Sequence, residues 1–272
     1  MTITSREYKL LVRHELFTLP TESIPSFQKS LEQAFKSKNG IVFTPADSLE
    51  SEDPISILFL DTESFSLHRN FLLLRQRQKK NKLEYTLKCR SEDRYFAEKT
   101  LVADGIAVES KFKQKLEEDV AIPFIGRYSN SCTYTPDKPQ PKTLGELAAL
   151  FPVVEQLAFG AATGPLAQVN QVTVEETVWG LGELVFGTLS ASLALIVWAR
   201  EGAPETPVIA ELSFRIKEKE EIGQEKKLLD VLFTRELARS TRDAYATLQK
   251  LPQALPGGTT KTEYIYGNTS HD

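Results

Sequence analysis

Cysteine is scarce in this chain of 272 residues. Only Cys89 and Cys132 occur, too few and too far apart for a zinc cluster or a disulfide framework. Two half-buried thiols in a reducing cytoplasm are the expectation. Histidine is nearly as rare: His14, His68 and His271, none at metal-ligand spacing from another. A His-based catalytic triad therefore has no support, and Ser190 in Gly187-Thr188-Leu189-Ser190 does not sit in a nucleophile elbow. No glycine-rich loop of the Walker or Rossmann kind is present. The first residues, Met1-Thr2-Ile3-Thr4-Ser5-Arg6-Glu7, lack the apolar stretch of a signal peptide.

An excess of positive charge is missing too. Lys and Arg number 33 against 37 Asp and Glu, a formal net charge of −4. That excludes a globally basic nucleic-acid binder and shifts the question to where the cations sit. Hydrophobic residues at 41% and charged residues at 26% are ordinary for a globular protein and exclude wholesale disorder. A compact chain of this size buries roughly 70–75% of its unfolded surface and needs no covalent staple. One apolar run, residues 178–199, has the length of a membrane span and a single charge, Glu183. Its glycines and the break at Phe186-Gly187-Thr188 instead predict two strands.

Periodicity predicts strands over 5–16, 55–61, 71–78, 83–90, 169–178, 184–189, 193–200 and 208–217, with a short one near Ile41-Val42-Phe43. It predicts helices over 25–38 (capped by Ser23), 107–119, 144–150 and 226–248. Residues 91–168 give mixed signals. Lys111, Lys113 and Lys115 fall around a helix surface on this reading; on a strand they would extend a cationic face. One domain over 1–250 with a flexible tail over 251–272 is expected, in the α+β class.

The informative pattern lies inside the strands, where side chains alternate faces. Glu7, Lys9 and Arg13 oppose Tyr8, Leu10 and Val12. Arg75 and Arg77 oppose Leu72 and Leu74; Thr86, Lys88 and Arg90 oppose Tyr85, Leu87 and Cys89. Glu211, Ser213 and Arg215 oppose Leu212, Phe214 and Ile216. One reading is a half-solvated sheet. The other is a closed barrel with an ionic interior, which must then hold water and a polyanion, because unpaired ions are costly to bury dry. Guanidinium forks suit phosphate oxygens, and the carboxylates Glu7 and Glu211 would suit Mg²⁺ or Mn²⁺.

These residues resemble the CYTH, or triphosphate tunnel metalloenzyme, superfamily. Glu7-Tyr8-Lys9 is similar to the end of its ExExK strand, and Phe59-Leu60-Asp61-Thr62 to its aromatic-x-Asp-Thr strand end. Leu74-Arg75-Gln76-Arg77 is similar to its Leu-Arg-x-Arg motif, Tyr85-Thr86-Leu87-Lys88 to the strand that follows, and Ala210-Glu211-Leu212-Ser213 to its late Glu-x-Glu strand. The resemblance spans residues 5–217 and implies an antiparallel eight-stranded β-barrel tunnel flanked by helices. It implies that Lys9, Arg75, Arg77 and Lys88, with Arg90 and Arg215 on the same faces, bind triphosphate oxygens. Glu7 and Glu211 would ligate Mg²⁺ or Mn²⁺, with Glu7 and Lys9 catalytic. The implied activity is divalent-metal-dependent hydrolysis of a small triphosphate. Two departures oppose it: Ser5 and Ser213 stand where the family has Glu, which weakens metal binding. Glu175 and Glu183 could replace those carboxylates only if they turn inward. A degenerate tunnel that binds polyphosphate or nucleotide without turnover is the alternative, and a plain surface sheet is a third reading. The expected partner is a small polyphosphate-containing ligand, with no bulk nucleic acid and no membrane.

Overall fold

The computed structural model describes residues 2–100, 102, 112–135, 141–156, 164–217 and 232–267. Its strands are β1 (Ser5–Val12), β2 (Val42–Pro45), β3 (Ile55–Asp61), β4 (Leu72–Lys79), β5 (Lys82–Ser91), β6 (Phe112–Ala121), β7 (Ile125–Tyr134), β8 (Ala167–Phe186), β9 (Leu189–Arg200) and β10 (Ala203–Lys217). They pair in the order β2-β8-β3-β4-β5-β7-β6-β1-β10-β9, and β9 also pairs β8. Nine strands therefore close into a barrel, with β2 outside it on β8.

The α+β barrel class matches the expectation, but the count is nine rather than eight, and the ring is mixed. β1 runs parallel to β6 and antiparallel to β10. The extra strands come from the segment the sequence left unread. Residues 112–119 form a strand, not the end of a helix. Phe112, Leu116 and Val120 recur every four residues, a spacing that fits a helix as well as every second position of one strand face. Gln114 and Glu118 interrupt that face, and Gln114 donates to Asn130 of β7 at 3.3 Å. Lys113 and Lys115 are thus on a strand, while Lys111 lies outside the described residues.

The long apolar run divides where expected. β8 ends at Phe186, Gly187 takes φ +61°, and β9 starts at Leu189. The two strands predicted over 169–178 and 184–189 are one strand, kept continuous through a bulge between Gly180 and Gly182. No helix among the described residues is long and apolar enough to cross a membrane.

The outward strand faces are apolar and covered. Helix α1 (Pro20–Phe35) lays Ile24, Phe27, Leu31 and Phe35 on the barrel. It starts five residues before the prediction, with Pro20 at its first turn, where a missing N–H costs nothing; Ser23 donates to the Leu19 carbonyl instead of capping. Short helices α2 (Ser66–Arg69), α3 (Arg94–Lys99), α4 (Leu144–Leu150) and α5 (Val153–Gln156) follow. Residues 144–150 are helical as predicted. Cys89 and Cys132 are free and fully buried in this outer layer, more so than expected.

Helix α6 (Arg235–Leu248) is the described part of the helix predicted over 226–248; residues 226–231 lie outside the description. It clamps β1. The Tyr8 hydroxyl donates to Thr241 at 2.8 Å, and the Tyr245 hydroxyl donates to the Lys9 carbonyl at 2.6 Å. The segment after Leu251, read from sequence as a tail, carries helix α7 (Lys261–Tyr266) with a Thr260–Glu263 capping box. Its Tyr266 is buried, stacks on His68 with centroids 4.1 Å apart, and donates to Asp61 at 3.2 Å. Asp61 also accepts the N–H groups of Thr62, Leu67 and His68 at 2.7, 2.9 and 3.0 Å. The Asp-Thr strand end therefore anchors α2 and α7 to the barrel.

Candidate functional site: an ionic tunnel

Closing the sheet turns the ionic strand faces inward. Glu7, Lys9, Arg75, Arg77, Lys88, Arg90, Glu211 and Arg215 all line one cavity of about 560 Å³. The half-solvated sheet is thereby overturned as a reading of these faces. Register sets which groups meet. On the antiparallel side of β1, Arg215 stands level with Glu7, Ser213 with Lys9, and Glu211 with Leu11. On its parallel side, Asp119 is level with Glu7 and Glu117 with Ser5. Across the cavity, β4 and β5 bring Arg75 level with Thr86 and Leu73 level with Lys88.

The acids are taken up by cations of the protein. Arg215 donates to Glu7 at 2.6 Å. The Lys9 ammonium lies 3.3 Å from Glu7 and 3.0 Å from Asp119. The second oxygen of Asp119 faces Arg90 at 3.6 Å and Lys88 at 3.9 Å. A separate set surrounds Glu176: Arg77 pairs with it, and the Trp198 indole donates to it at 2.8 Å. Lys261 of α7 stands 3.5 Å from Glu176 and 3.2 Å from Glu211.

These contacts set the ionisation. Burial pushes Glu7 up, but Lys9 and Arg215 outweigh it and hold the carboxyl at about 2. Glu176 is likewise brought to about 2, against its burial, by Lys261 and Arg77. Burial opposes ionisation at Asp119 as well, yet Lys9, Lys88 and Arg90 hold it well below the usual range. Lys9 rises despite burial, because of Asp119 and Glu7. Two cations go the other way. Burial lowers Lys88 to about 8, with Lys9 and Arg90 adding to the effect and Asp119 opposing it. Burial and the neighbouring Arg77 lower Arg75 to about 10. Arg75 forms no ion pair among the described residues. The buried Nε donors of Arg75, Arg77, Arg90 and Arg215 have no hydrogen-bond acceptor among the described residues.

The carboxylates do not fit a divalent cation as the resemblance implies. Glu7 and Glu211 are four register positions apart on adjoining strands, with Lys9 between them. Glu7 already holds Arg215 and Lys9, and Glu211 holds Lys261. Mg²⁺ and Mn²⁺ need several oxygens free to turn toward one point. Among the described residues no group of three or more His, Cys, Asp or Glu is arranged to hold a metal. Where the family carries Glu, Ser5 donates to Glu117 at 3.0 Å and Ser213 is buried beside Lys9. Glu183 is exposed, and Glu175 does not line the cavity.

Several charged lining residues escaped the sequence reading, and Lys115 was reached only by its strand alternative. Lys115, Glu117, Asp119 and Arg127 come from the unread β6–β7 hairpin, where alternation at odd positions was the available signal. Glu176 needed the register of β8, one residue from the acid singled out. Lys261 comes from beyond the barrel strands, and nothing in the sequence marks it.

No protein-family model and no curated protein matches this chain. Solved structures do, at low identity. A candidate adenylyl cyclase from Hippeastrum, in which triphosphatase activity dominates, shares 14% identity, with 97% of this chain and 95% of that one covered and a TM-score of 0.47. A candidate adenylate cyclase from Bacillus halodurans shares 14% identity over 97% and 98% of the chains, with a TM-score of 0.40. One from Vibrio parahaemolyticus shares 11% over 97% and 98%, with a TM-score of 0.33.

Proposed function

We propose that the chain is a divergent CYTH-type tunnel protein that binds a small linear polyphosphate, free or as the triphosphate end of an organic molecule. The observation that carries this is a set of four buried guanidinium Nε donors with no acceptor among the described residues, all on side chains that line one cavity. Such donors are costly to bury unless a ligand or water accepts from them. A chain of phosphates supplies oxygens at the required density, and Arg donates to them in a planar fork. Nine Lys and Arg side chains and six carboxylates line the cavity, a local surplus of cations inside a mildly acidic protein.

Binding is favoured over hydrolysis because Glu7, Asp119, Glu176 and Glu211 are committed to ion pairs. A carboxylate that acts as a base or holds a metal must be free to accept the proton or the metal. The test is a thermal melt with tripolyphosphate, using sulfate as the control. Ligand at a hundredfold excess over Kd stabilises by about 2.7 kcal/mol, and Arg75→Ala removes most of that. No stabilisation overturns the reading. Phosphate release that needs Mg²⁺ or Mn²⁺ and disappears in Glu7→Ala restores the hydrolase.

A further inference from the structure

Two ammonium groups in the tunnel each stand between two carboxylates drawn from different strands. Lys9 lies 3.3 Å from Glu7 and 3.0 Å from Asp119. Lys261 lies 3.2 Å from Glu211 and 3.5 Å from Glu176. Each pair is completed by one guanidinium: Arg215 on Glu7, and Arg77 on Glu176. Each four-residue set thus has two negative and two positive charges. Neither leaves a net negative field to attract a dication.

We infer that Lys9 and Lys261 occupy the carboxylate pairs that a divalent metal would need here, so the polyphosphate is held without one. The geometry supplies the reason. A metal bridging Glu7 and Asp119 would have to displace the Lys9 ammonium, which stands within 3.3 Å of both carboxylates. A metal between Glu176 and Glu211 would have to expel Lys261, whose helix is pinned through Tyr266 to Asp61. Each displacement would leave a dication beside an ammonium and a guanidinium, and Mg²⁺ surrenders its water reluctantly even at a favourable site. The ligand-facing cations Arg75, Lys88 and Arg90 stay available, since Asp119 satisfies only part of the Lys88 and Arg90 charge.

The inference rests on the polyphosphate reading for its ligand but not for its cations, and the experiment separates the two. The first arm omits phosphate: the full chain is titrated with Mn²⁺, and the bound ion is counted by electron paramagnetic resonance. No uptake is expected up to about 1 mM; uptake of one ion per chain overturns the inference. The second arm is calorimetry with tripolyphosphate in EDTA and then in Mg²⁺. Binding is expected in EDTA, with no strengthening by Mg²⁺. Strengthening of about tenfold or more overturns the inference. An absence of binding in both buffers removes the polyphosphate reading, and the Mn²⁺ arm still judges the cations. In the third arm, Lys261→Met, which leaves the Arg77–Glu176 pair in place, is expected to take up Mn²⁺ that the parent refuses. A folded variant that takes up none overturns the role of the ammonium.

Discussion

Arg215 donates to Glu7 at 2.6 Å across a ladder that joins residues 208 positions apart. If Glu7 neutralises cations rather than ligating a metal, Glu7→Gln frees Arg215 and Lys9 for phosphate. Tripolyphosphate affinity in EDTA is then expected to rise several-fold. Stability is expected to fall by about 3 kcal/mol, because Arg215 loses its counter-charge, while Lys9 keeps Asp119. Calorimetry beside urea denaturation reads both. A loss of affinity would return Glu7 to the ligand-holding set.

Acid should dismantle the tunnel before the outer layer. Glu7 and Glu176 have folded values of about 2 against an ordinary 4.5, and Asp119 is also depressed. In that window the unfolded chain binds more protons, so stability rises with pH. The contribution is complete above pH 4.5 and is lost as pH falls through about 2. Each such group adds about 1.4 kcal/mol per pH unit inside the window. Urea midpoints measured across it should fall steadily, and Glu176→Gln should flatten the slope.

Lys88 gives the opposite limb. Its folded value of about 8 lies below the ordinary 10.5, so free-protein stability gains from this group as pH rises between those values. Ligand affinity moves the other way, since only the ammonium holds phosphate. Affinity should fall as pH rises through about 8. Binding near that pH should take up a proton fraction at Lys88, visible as a buffer-dependent heat. Lys88→Arg should remove that fraction, because a guanidinium stays charged; an unchanged heat would exclude Lys88 from the site.

Gly182 tests the seating of β2 on the outside of the barrel wall. It takes φ +137°, and a Cβ there would lie 2.2 Å from the Thr44 carbonyl oxygen of β2. Gly182→Ala is expected to destabilise by about 2–4 kcal/mol through backbone strain and loss of the β2 pairing. Gly180, two residues earlier, has open space around its added Cβ. Gly180→Ala should stay within about 1 kcal/mol of the parent. Equal effects would mean that the bulge, not the close approach, limits substitution.

The ionic faces of β1, β4, β5 and β10 were legible in the sequence because period-two alternation survives wherever one side packs and the other does not. Alternation alone left their convergence on one cavity open against a half-solvated sheet, since it depends on which strands become neighbours; the family resemblance implied it. β6 was misread for a physical reason: Leu116 and Val120 sit four apart, and the polar Glu118 between them makes a strand face imitate a helix stripe. Glu175 was singled out where Glu176 faces inward, a one-residue slip that in a strand exchanges the two faces. Lys261 was unreadable, because its place in the tunnel is decided by how Tyr266 docks and not by any pattern of its own.

Strand β1 has its two neighbours far away in the chain. Its Ser5 pairs with Glu117 on one side and Lys217 on the other. No local hairpin holds it, and loop closure over such separations is entropically costly. Glu7 and Lys9 therefore meet Asp119 and Arg215 only when the ring shuts. The β4–β5 hairpin alone carries Arg75, Lys88 and Arg90, but the complete anion site exists only in the closed ring, so tight ligand binding during refolding would time the closure itself, after the hairpins have formed.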